Sequence, residues 1–426
     1  MNKFKISILY IFLFLFFFPK TIYGKTTVSF LEPLTKGNSV RTGLDVLIED
    51  HIQFLSGKKI GLVTNHSGTT RTGAKNYALF QSEPGVELAV IFAPEHGFYG
   101  EASAGAKIEY KDQKESGPNI ISLYGRNRRP TREMVEGLDL IIYDIQDIGA
   151  RFYTYISTLA MTMEVAAENN IKVMVLDRPN PLGGEIVEGA TLDLKYKSFI
   201  GYYPIPIRYG LTVGELSYMA CKNNWLSFSP SELIIVKMDN WKRSMYYDDT
   251  NLKWVIPSPN IPDLETAIIY PGMCLYEATN ISEGRGTTQP FKMIGAPWMD
   301  TLISKEMNNI GIKGASFSYE SFKPKGIKGK SENPKFKGFM CQGFKINVID
   351  RDTFRSVLSS VLSLEIAYSM YKGPLELNEL RMKKLWGNDQ IISFLKEEVE
   401  LKQFSKELNK GVKKFKSESR PYLLYN

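Results

Sequence analysis

Short apolar runs, each closing on polar or turn residues, recur through the first half of the chain and constrain its fold more than any other feature. Such runs are typical of strands buried on both faces of a parallel sheet. Apolar residues at helical spacing fill residues 152–169, between the third and fourth runs, as a βαβ unit requires. The predicted strands, in chain order, are Ile60–Val63, Val86–Phe92, Leu138–Tyr143, Lys172–Leu176 and Leu233–Val236.

This alternation predicts an α/β protein with a doubly wound parallel sheet in residues 25–298. A capping box over residues 212–215 begins a further predicted helix. Residues 254–298 carry many prolines and glycines, and we predict a long functional loop there. The remaining chain is Lys-rich with short predicted strands and helices, so residues 299–426 are predicted to form a smaller α+β C-terminal domain.

The N-terminus has the pattern of a secretory signal peptide over residues 1–24. Lys3 and Lys5 precede the uncharged apolar run Ile6–Phe18, and Gly24 supplies a small residue for cleavage. The alternative is an uncleaved membrane anchor, but the run is short for a bilayer span. We therefore expect an exported protein, periplasmic or extracellular, with no stable membrane span once the signal is removed.

The sequence lacks the motifs of several common classes of enzyme. It has no GxGxxG, GxxxxGK[ST], GxSxG or HExxH pattern, and no cofactor is predicted. The net charge is +7, without a dense basic run interleaved with aromatic residues, so nucleic acid is not an expected partner. The three cysteines, Cys221, Cys274 and Cys341, have no paired spacing and are predicted to be buried thiols. A Ser-His-Asp triad would need His66 or His96 and is a weak alternative.

Carboxylates follow the predicted strands at the positions where α/β sheets bind ligands. Glu95 follows Val86–Phe92, Asp144 and Asp147 follow the third strand, and Glu283 lies in the long loop. Glycoside hydrolysis needs two such groups, one of them an acid that protonates the leaving oxygen. The apolar run and proline before Glu95 favour a protonated carboxyl there, so Glu95 is the preferred general acid. The aspartates have an ordinary alternative role as helix caps.

Two other functions are open at this point. Glu95, His96, Asp144 and Asp147 could form the site of a metal-dependent hydrolase. A cleft with aromatic and arginine walls would equally suit a non-catalytic binder of cell-wall sugars.

Eight ordered blocks of residues carry a resemblance to a known family. The chain resembles the bacterial exo-β-N-acetylmuramidases, long catalogued as a domain of unknown function. The matching blocks are Gly43–Asp45, Gly61–Gly68, Phe92–Phe98, Asp144–Tyr155, Asp177–Pro181, Ser258–Pro262, Glu283–Thr288 and Arg420–Tyr425.

The resemblance implies a Rossmann-like larger domain, a smaller C-terminal domain and a cleft between them. It implies release of N-acetylmuramic acid from the non-reducing end of peptidoglycan fragments, so the expected partners are peptidoglycan-derived muramic-acid glycosides. Glu95 occupies the expected catalytic-acid position. The lactyl carboxylate of muramic acid calls for a fixed cation, which we expect to be Arg178 or Arg285. The full set of predicted substrate-binding residues is Asn65, His96, Arg151, Tyr153, Arg178, Asn180 and Arg285.

Overall fold

The computed structural model describes residues 26–34, 37–100, 117–125 and 127–426. The predicted signal peptide lies outside these residues. The strands are β1 (Thr27–Leu31), β2 (Lys58–Thr64), β3 (Val86–Ala93), β4 (Asn119–Ser122), β5 (Leu140–Asp144), β6 (Lys172–Leu176), β7 (Glu232–Val236), β8 (Met293–Ala296), β9 (Ala315–Phe322) and β10 (Cys341–Val348). The α-helices are α1 (Gly43–Asp50), α2 (Asn76–Ser82), α3 (Arg132–Val135), α4 (Tyr155–Glu168), α5 (Val213–Lys222), α6 (Leu264–Met273), α7 (Leu302–Asn309), α8 (Ser356–Met370), α9 (Glu379–Trp386), α10 (Gln390–Leu395) and α11 (Leu401–Ser419).

The first seven strands form one sheet in the order β1-β7-β6-β5-β2-β3-β4, and every neighbouring pair is parallel. From β2 the chain continues to β3 and β4 on one side of the sheet, and it then returns to form β5, β6 and β7 on the other side of β2. The carboxyl ends of β2 and β5 therefore mark the topological switch point. Thr64 at the end of β2 pairs with Asp144 at the end of β5. This is the predicted doubly wound α/β sheet.

Alternating strand residues are buried on both faces of this sheet. On one face Leu62 and Ile142 join a core that includes Leu44 of α1 and Phe80 of α2. On the other face the intervening strand residues pack in a core with α4 and α5. Burial on both faces explains why the strands appear in the sequence as continuous apolar runs.

The second half of the chain contains an antiparallel sheet in the order β8-β10-β9 with helices beside it. It provides the predicted α+β part of the chain, whereas the predicted boundary at residue 298 stays a prediction. Within the described residues, no helix is long and apolar enough to cross a bilayer. All three cysteines are buried free thiols, which confirms that prediction.

The loop predicted over residues 254–298 is wrong in part, because α6 and a following 3-10 turn (Cys274–Ala278) lie within it. Asp263 caps α6 by accepting a hydrogen bond from the Thr266 backbone N–H at 2.8 Å. Gly272 then allows close packing on α8, since a Cβ there would lie 1.9 Å from the Ser356 carbonyl oxygen. Tertiary packing therefore maintains a helix that includes Pro271.

Candidate active site

A tight turn follows β3 and presents the sequence Glu95-His96-Gly97. His96 and Gly97 have φ angles of 71° and 75°, both in the left-handed region. That conformation suits Gly97 but costs a residue such as His96 roughly 1–2 kcal/mol. Strain of this kind is concentrated at functional sites. The turn leaves His96 buried and Glu95 half-buried at the carboxyl end of the sheet.

Two hydroxyl groups contact the Glu95 carboxylate. Thr154 Oγ1 donates a hydrogen bond to Glu95 Oε2 at 2.7 Å. Thr154 is the N-cap residue of α4, but its side chain makes no capping hydrogen bond. The Tyr124 hydroxyl also lies close to Glu95, and burial together with this carboxylate raises the pKa of Tyr124 to about 12. Both hydroxyls remain protonated donors, and they orient the carboxyl group.

Glu95 lies in the wall of a cavity of about 460 Å³ that the loops of the parallel sheet share with segments from the second half of the chain. Its lining combines acidic and basic groups with aromatic rings, and Arg285 lies 4.9 Å from the centroid of the Phe291 ring. The lining residues are Glu95, His96, Tyr124, Arg128, Phe152, Tyr153, Thr154, Ser198, Phe199, Ile200, Ser258, Asn260, Ile261, Tyr270, Glu277, Arg285, Phe291, Arg381 and Lys384.

The aromatic lining is a cluster of edge-to-face rings around Tyr270. Its ring centroid lies 5.4 Å from Phe152, 6.2 Å from Tyr153 and 4.8 Å from Phe291. Interlocked rings of this kind form a rigid wall, against which the apolar face of a sugar can pack.

Glu277 is the second carboxylate in the described lining. Arg285 donates to it at 2.7 Å, and Arg381 donates to its other oxygen. Burial favours the neutral form, but the two guanidinium groups outweigh it and lower the pKa of Glu277. Glu277 is therefore held ionised. Glu283 is outside the cavity lining. Its Oε1 lies 3.3 Å from Arg285 Nε and its Oε2 lies 3.0 Å from Lys335 Nζ.

Asp144 lies at the switch point and is fully buried outside the cavity lining. Arg178 bonds it in a bidentate manner, with Nε 2.6 Å from Oδ1 and Nη2 3.0 Å from Oδ2. Asn76 donates a further hydrogen bond to Oδ2 at 2.7 Å. The protein's own side chains thus fill the place where open α/β sheets usually bind ligands.

Asp147 is also buried and outside the lining. Its Oδ2 accepts hydrogen bonds from the Tyr209 hydroxyl and from the Gly149 backbone N–H, the latter at 2.7 Å. Burial disfavours the charged carboxylate, and no ion pair with a described residue compensates for it. This effect outweighs the hydrogen bonds and raises the pKa of Asp147 to about 6.

Arg151 is buried among backbone carbonyls of both halves of the chain. Its guanidinium donates to the carbonyl oxygens of Ala190 at 2.6 Å, Ile205 at 2.8 Å and Leu385 at 2.7 Å. Burial lowers the pKa of Arg151 to about 9. These contacts join the loops of the parallel sheet to the end of α9.

The side chains of the two predicted asparagines form hydrogen bonds within the protein and do not line the cavity. Asn65 donates to the Tyr155 hydroxyl at 2.9 Å and accepts from the Ser67 backbone N–H at 2.9 Å. Asn180 donates to the Leu211 carbonyl at 2.9 Å.

The structure therefore brings together some of the predicted residues and separates the others from the cavity. Those in the lining are Glu95, His96, Tyr153 and Arg285. Those outside it are Asn65, Asp144, Asp147, Arg151, Arg178, Asn180 and Glu283. Among the described residues, no group of three or more His, Cys, Asp or Glu side chains is placed to hold a metal ion, so the four residues of the alternative metal site do not converge.

The lining contains residues that the sequence analysis did not single out. Thr154, Ser258 and Asn260 stood within the family blocks, so the blocks were a usable signal. Arg128, Arg381 and Lys384 lie outside those blocks and have the appearance of ordinary solvated surface charges. Only folding places them in one cavity.

Comparisons with known proteins show the family to which the chain belongs. Two family models match consecutive parts of the chain: the N-terminal part of the exo-β-N-acetylmuramidase NamZ over residues 60–265, and its C-terminal part over residues 268–425. The peptidoglycan β-N-acetylmuramidase NamZ of Bacillus subtilis is 38% identical over 412 residues, which are 95% of this chain and 97% of the relative.

Two solved structures share the fold. Both are DUF1343-family proteins of Bacteroides fragilis, and each matches 91% of this chain and 99% of its own. One is 32% identical with a TM-score of 0.83, and the other is 29% identical with a TM-score of 0.73.

Proposed function

The chain belongs to the NamZ family of exo-β-N-acetylmuramidases and is a glycoside hydrolase, and from this premise we propose that it releases N-acetylmuramic acid from the non-reducing end of peptidoglycan fragments, with Glu95 as the general acid. The observation that carries this proposal is the half-buried Glu95 carboxyl in the wall of the cavity. It is oriented by Thr154 at 2.7 Å and by Tyr124.

The surroundings of the two lining carboxylates support different roles for them. Arg285 and Arg381 hold Glu277 ionised, so it has no proton to donate. This leaves Glu95 as the lining carboxyl to which we assign protonation of the glycosidic oxygen, the first step of glycoside hydrolysis. The aromatic cluster around Tyr270 would hold the sugar ring while the bond to the leaving oxygen breaks.

Glu95→Gln tests this role directly. The substrates are the MurNAc-GlcNAc disaccharide and an aryl β-glycoside of N-acetylmuramic acid, with the free sugar measured by chromatography. We expect a fall in kcat of roughly 10²- to 10⁴-fold on the disaccharide, the range that general acids contribute. The loss on the aryl glycoside should be much smaller, because its leaving group departs without a proton.

Glu136→Gln is the matched control, since it makes the same change at an exposed carboxylate. An equal loss on both substrates would show that Glu95 acts in another step. Full activity of Glu95→Gln would exclude the residue as the acid. Failure of the unaltered protein to release the sugar from either substrate would refute the function itself and leave the wall-sugar binder as the alternative.

We further propose that the protein is exported and cleaved after Gly24. Intact-mass measurement of the protein from the culture or periplasmic fraction of its native host tests this, with a chain beginning at Lys25 as the expected result. A full-length chain in the cytoplasm would contradict it.

Digestion of long glycan strands tests the exo mode of cleavage, for which free monosaccharide and not internal fragments should accumulate.

A further inference from the structure

Four basic side chains line the cavity, but two of them are already committed to carboxylates of the protein. Arg285 bonds Glu277 at 2.7 Å and lies 3.3 Å from Glu283. Arg381 also bonds Glu277. The guanidinium groups of this pair therefore stabilise an internal anion, and binding a second anion would compete with these contacts.

Arg128 differs from these arginines, because within the described residues its contacts are with aromatic rings and include no ion pair. The central carbon of its guanidinium lies 4.6 Å from the centroid of the Phe199 ring and 6.0 Å from that of Tyr124. Stacking on a ring fixes the plane of a guanidinium while its edge remains available to bond a carboxylate in a bidentate manner. Arg128 is thus an exposed cation that lies against aromatic rings in the cavity wall.

Tyr124 also places Arg128 near Glu95 in the cavity wall. Tyr124 contacts both Arg128 and Glu95, and each of the two affects the phenol electrostatically. A cation here would meet a part of the sugar close to the bond being broken. N-acetylmuramic acid differs from N-acetylglucosamine by a lactyl ether on O3, and the ether ends in a carboxylate.

We propose that Arg128 binds the lactyl carboxylate and is the residue that makes the site specific for muramic acid. The inference rests on the proposed function and replaces the earlier expectation of Arg178 or Arg285. Arg178 is outside the cavity lining and bonded to Asp144, and Arg285 is shared by two glutamates. Lys384 is the remaining lining cation, and it is the competing candidate.

The test compares two aryl β-glycosides, one of N-acetylmuramic acid and one of its lactyl carboxamide, which has the same shape without the charge. We expect the unaltered protein to prefer the acid by roughly 10- to 100-fold in kcat/KM, as for a hydrogen bond to a charged group. Arg128→Ala should reduce that preference to about twofold or less, chiefly by slowing the acid. Arg128→Lys should be intermediate, because lysine keeps the charge without the planar fork.

Arg129→Ala is the matched control, since the neighbouring arginine pairs with Glu168 and does not line the cavity. It should keep the preference for the acid. Retained turnover of the carboxamide by Arg128→Ala would show that the variant is folded. Equal slowing of both substrates by Arg128→Ala would overturn the proposal, as would loss of the preference in Lys384→Ala alone. An unaltered protein that cleaves both glycosides equally would also overturn it, while one that cleaves neither would refute the proposed function instead.

Discussion

Strands β3 and β5 are alike in sequence, because each is an apolar run that ends in or just before a carboxylate. They differ in the groups that surround this carboxylate. Glu95 after β3 is half-buried and lies in the cavity wall, with hydroxyl donors as its described partners. Asp144 at the end of β5 is fully buried, and both its oxygens are bonded by charged or amide groups. A carboxylate at a strand end is therefore a candidate for catalysis only when the fold leaves it facing a cavity.

The two aspartates that follow β5 differ from each other as well. Asp144 has a guanidinium partner that compensates its charge in a site away from water. Asp147 has a phenol and backbone N–H groups as donors instead of a cation, and its pKa rises to about 6. Burial is costly for a charged carboxylate at either position, and the difference is that Arg178 offsets this cost at Asp144. We infer that both are structural, and three predictions test the contrast with Glu95.

The largest effect on stability should come from breaking the pair at the switch point. Arg178→Met leaves the buried Asp144 charge without its guanidinium, and we expect a loss of about 3–5 kcal/mol in the free energy of unfolding. Urea denaturation at neutral pH measures it. The double variant Arg178→Met/Asp144→Leu should lose less than the single variant, because no uncompensated charge remains.

Arg129→Ala is again the control, because it breaks a partly exposed pair with Glu168 and should cost about 1 kcal/mol or less. A loss below about 1 kcal/mol in Arg178→Met would mean that Asp144 does not depend on its partner. In that case Asp144 would return as a candidate for a chemical role.

The second prediction concerns pH and Asp147. Its pKa in the fold, about 6, is above the ordinary value of 3.8 for an aspartate, so the folded state holds this proton more tightly. Stability from this group is therefore present at pH 4, falls as pH rises towards 6 and is constant above that. The change is about 3 kcal/mol. Asp147→Asn should remove this slope, because the amide oxygen can still accept from Tyr209.

Unfolding free energies at pH 4 and pH 7 give the measurement, with the exposed Glu136→Gln as the control. We expect the difference between Asp147→Asn and the unaltered protein to grow in favour of the variant from pH 4 to pH 7. An unchanged slope together with lost turnover would place Asp147 in the chemistry instead.

The smallest effect should come from the hydroxyl that orients Glu95. Thr154→Val removes the 2.7 Å hydrogen bond with little change in volume. A single hydrogen bond contributes about 1 kcal/mol, so kcat/KM on the disaccharide should fall roughly 3- to 10-fold. Thr158→Val makes the same change one turn along α4, where the hydroxyl bonds the Thr154 carbonyl. It should leave the rate unchanged, and a matching loss there would point to a general effect on the helix.

Strand prediction succeeded where burial on both faces left an unbroken apolar run, as in Lys172–Leu176, which coincides with β6. It missed β1 and β4, the edges of the sheet. Edge strands have one neighbour and polar or half-buried positions, so their sequences lack such a run. The capping box at Thr212 and Glu215 was found because both of its hydrogen bonds are local.

Local sequence was enough to specify the parallel sheet, the carboxylates after β3, β5 and β6, and the family blocks. These depend on residues close together along the chain. Which carboxylate faces the cavity depended on folding, and so did the pairing of Asp144 with Arg178, 34 residues away. Folding alone brought Arg128 and Lys384 into one cavity. The reason is physical: the charge state and accessibility of a side chain depend on the groups that folding places around it, and those groups come from distant parts of the chain.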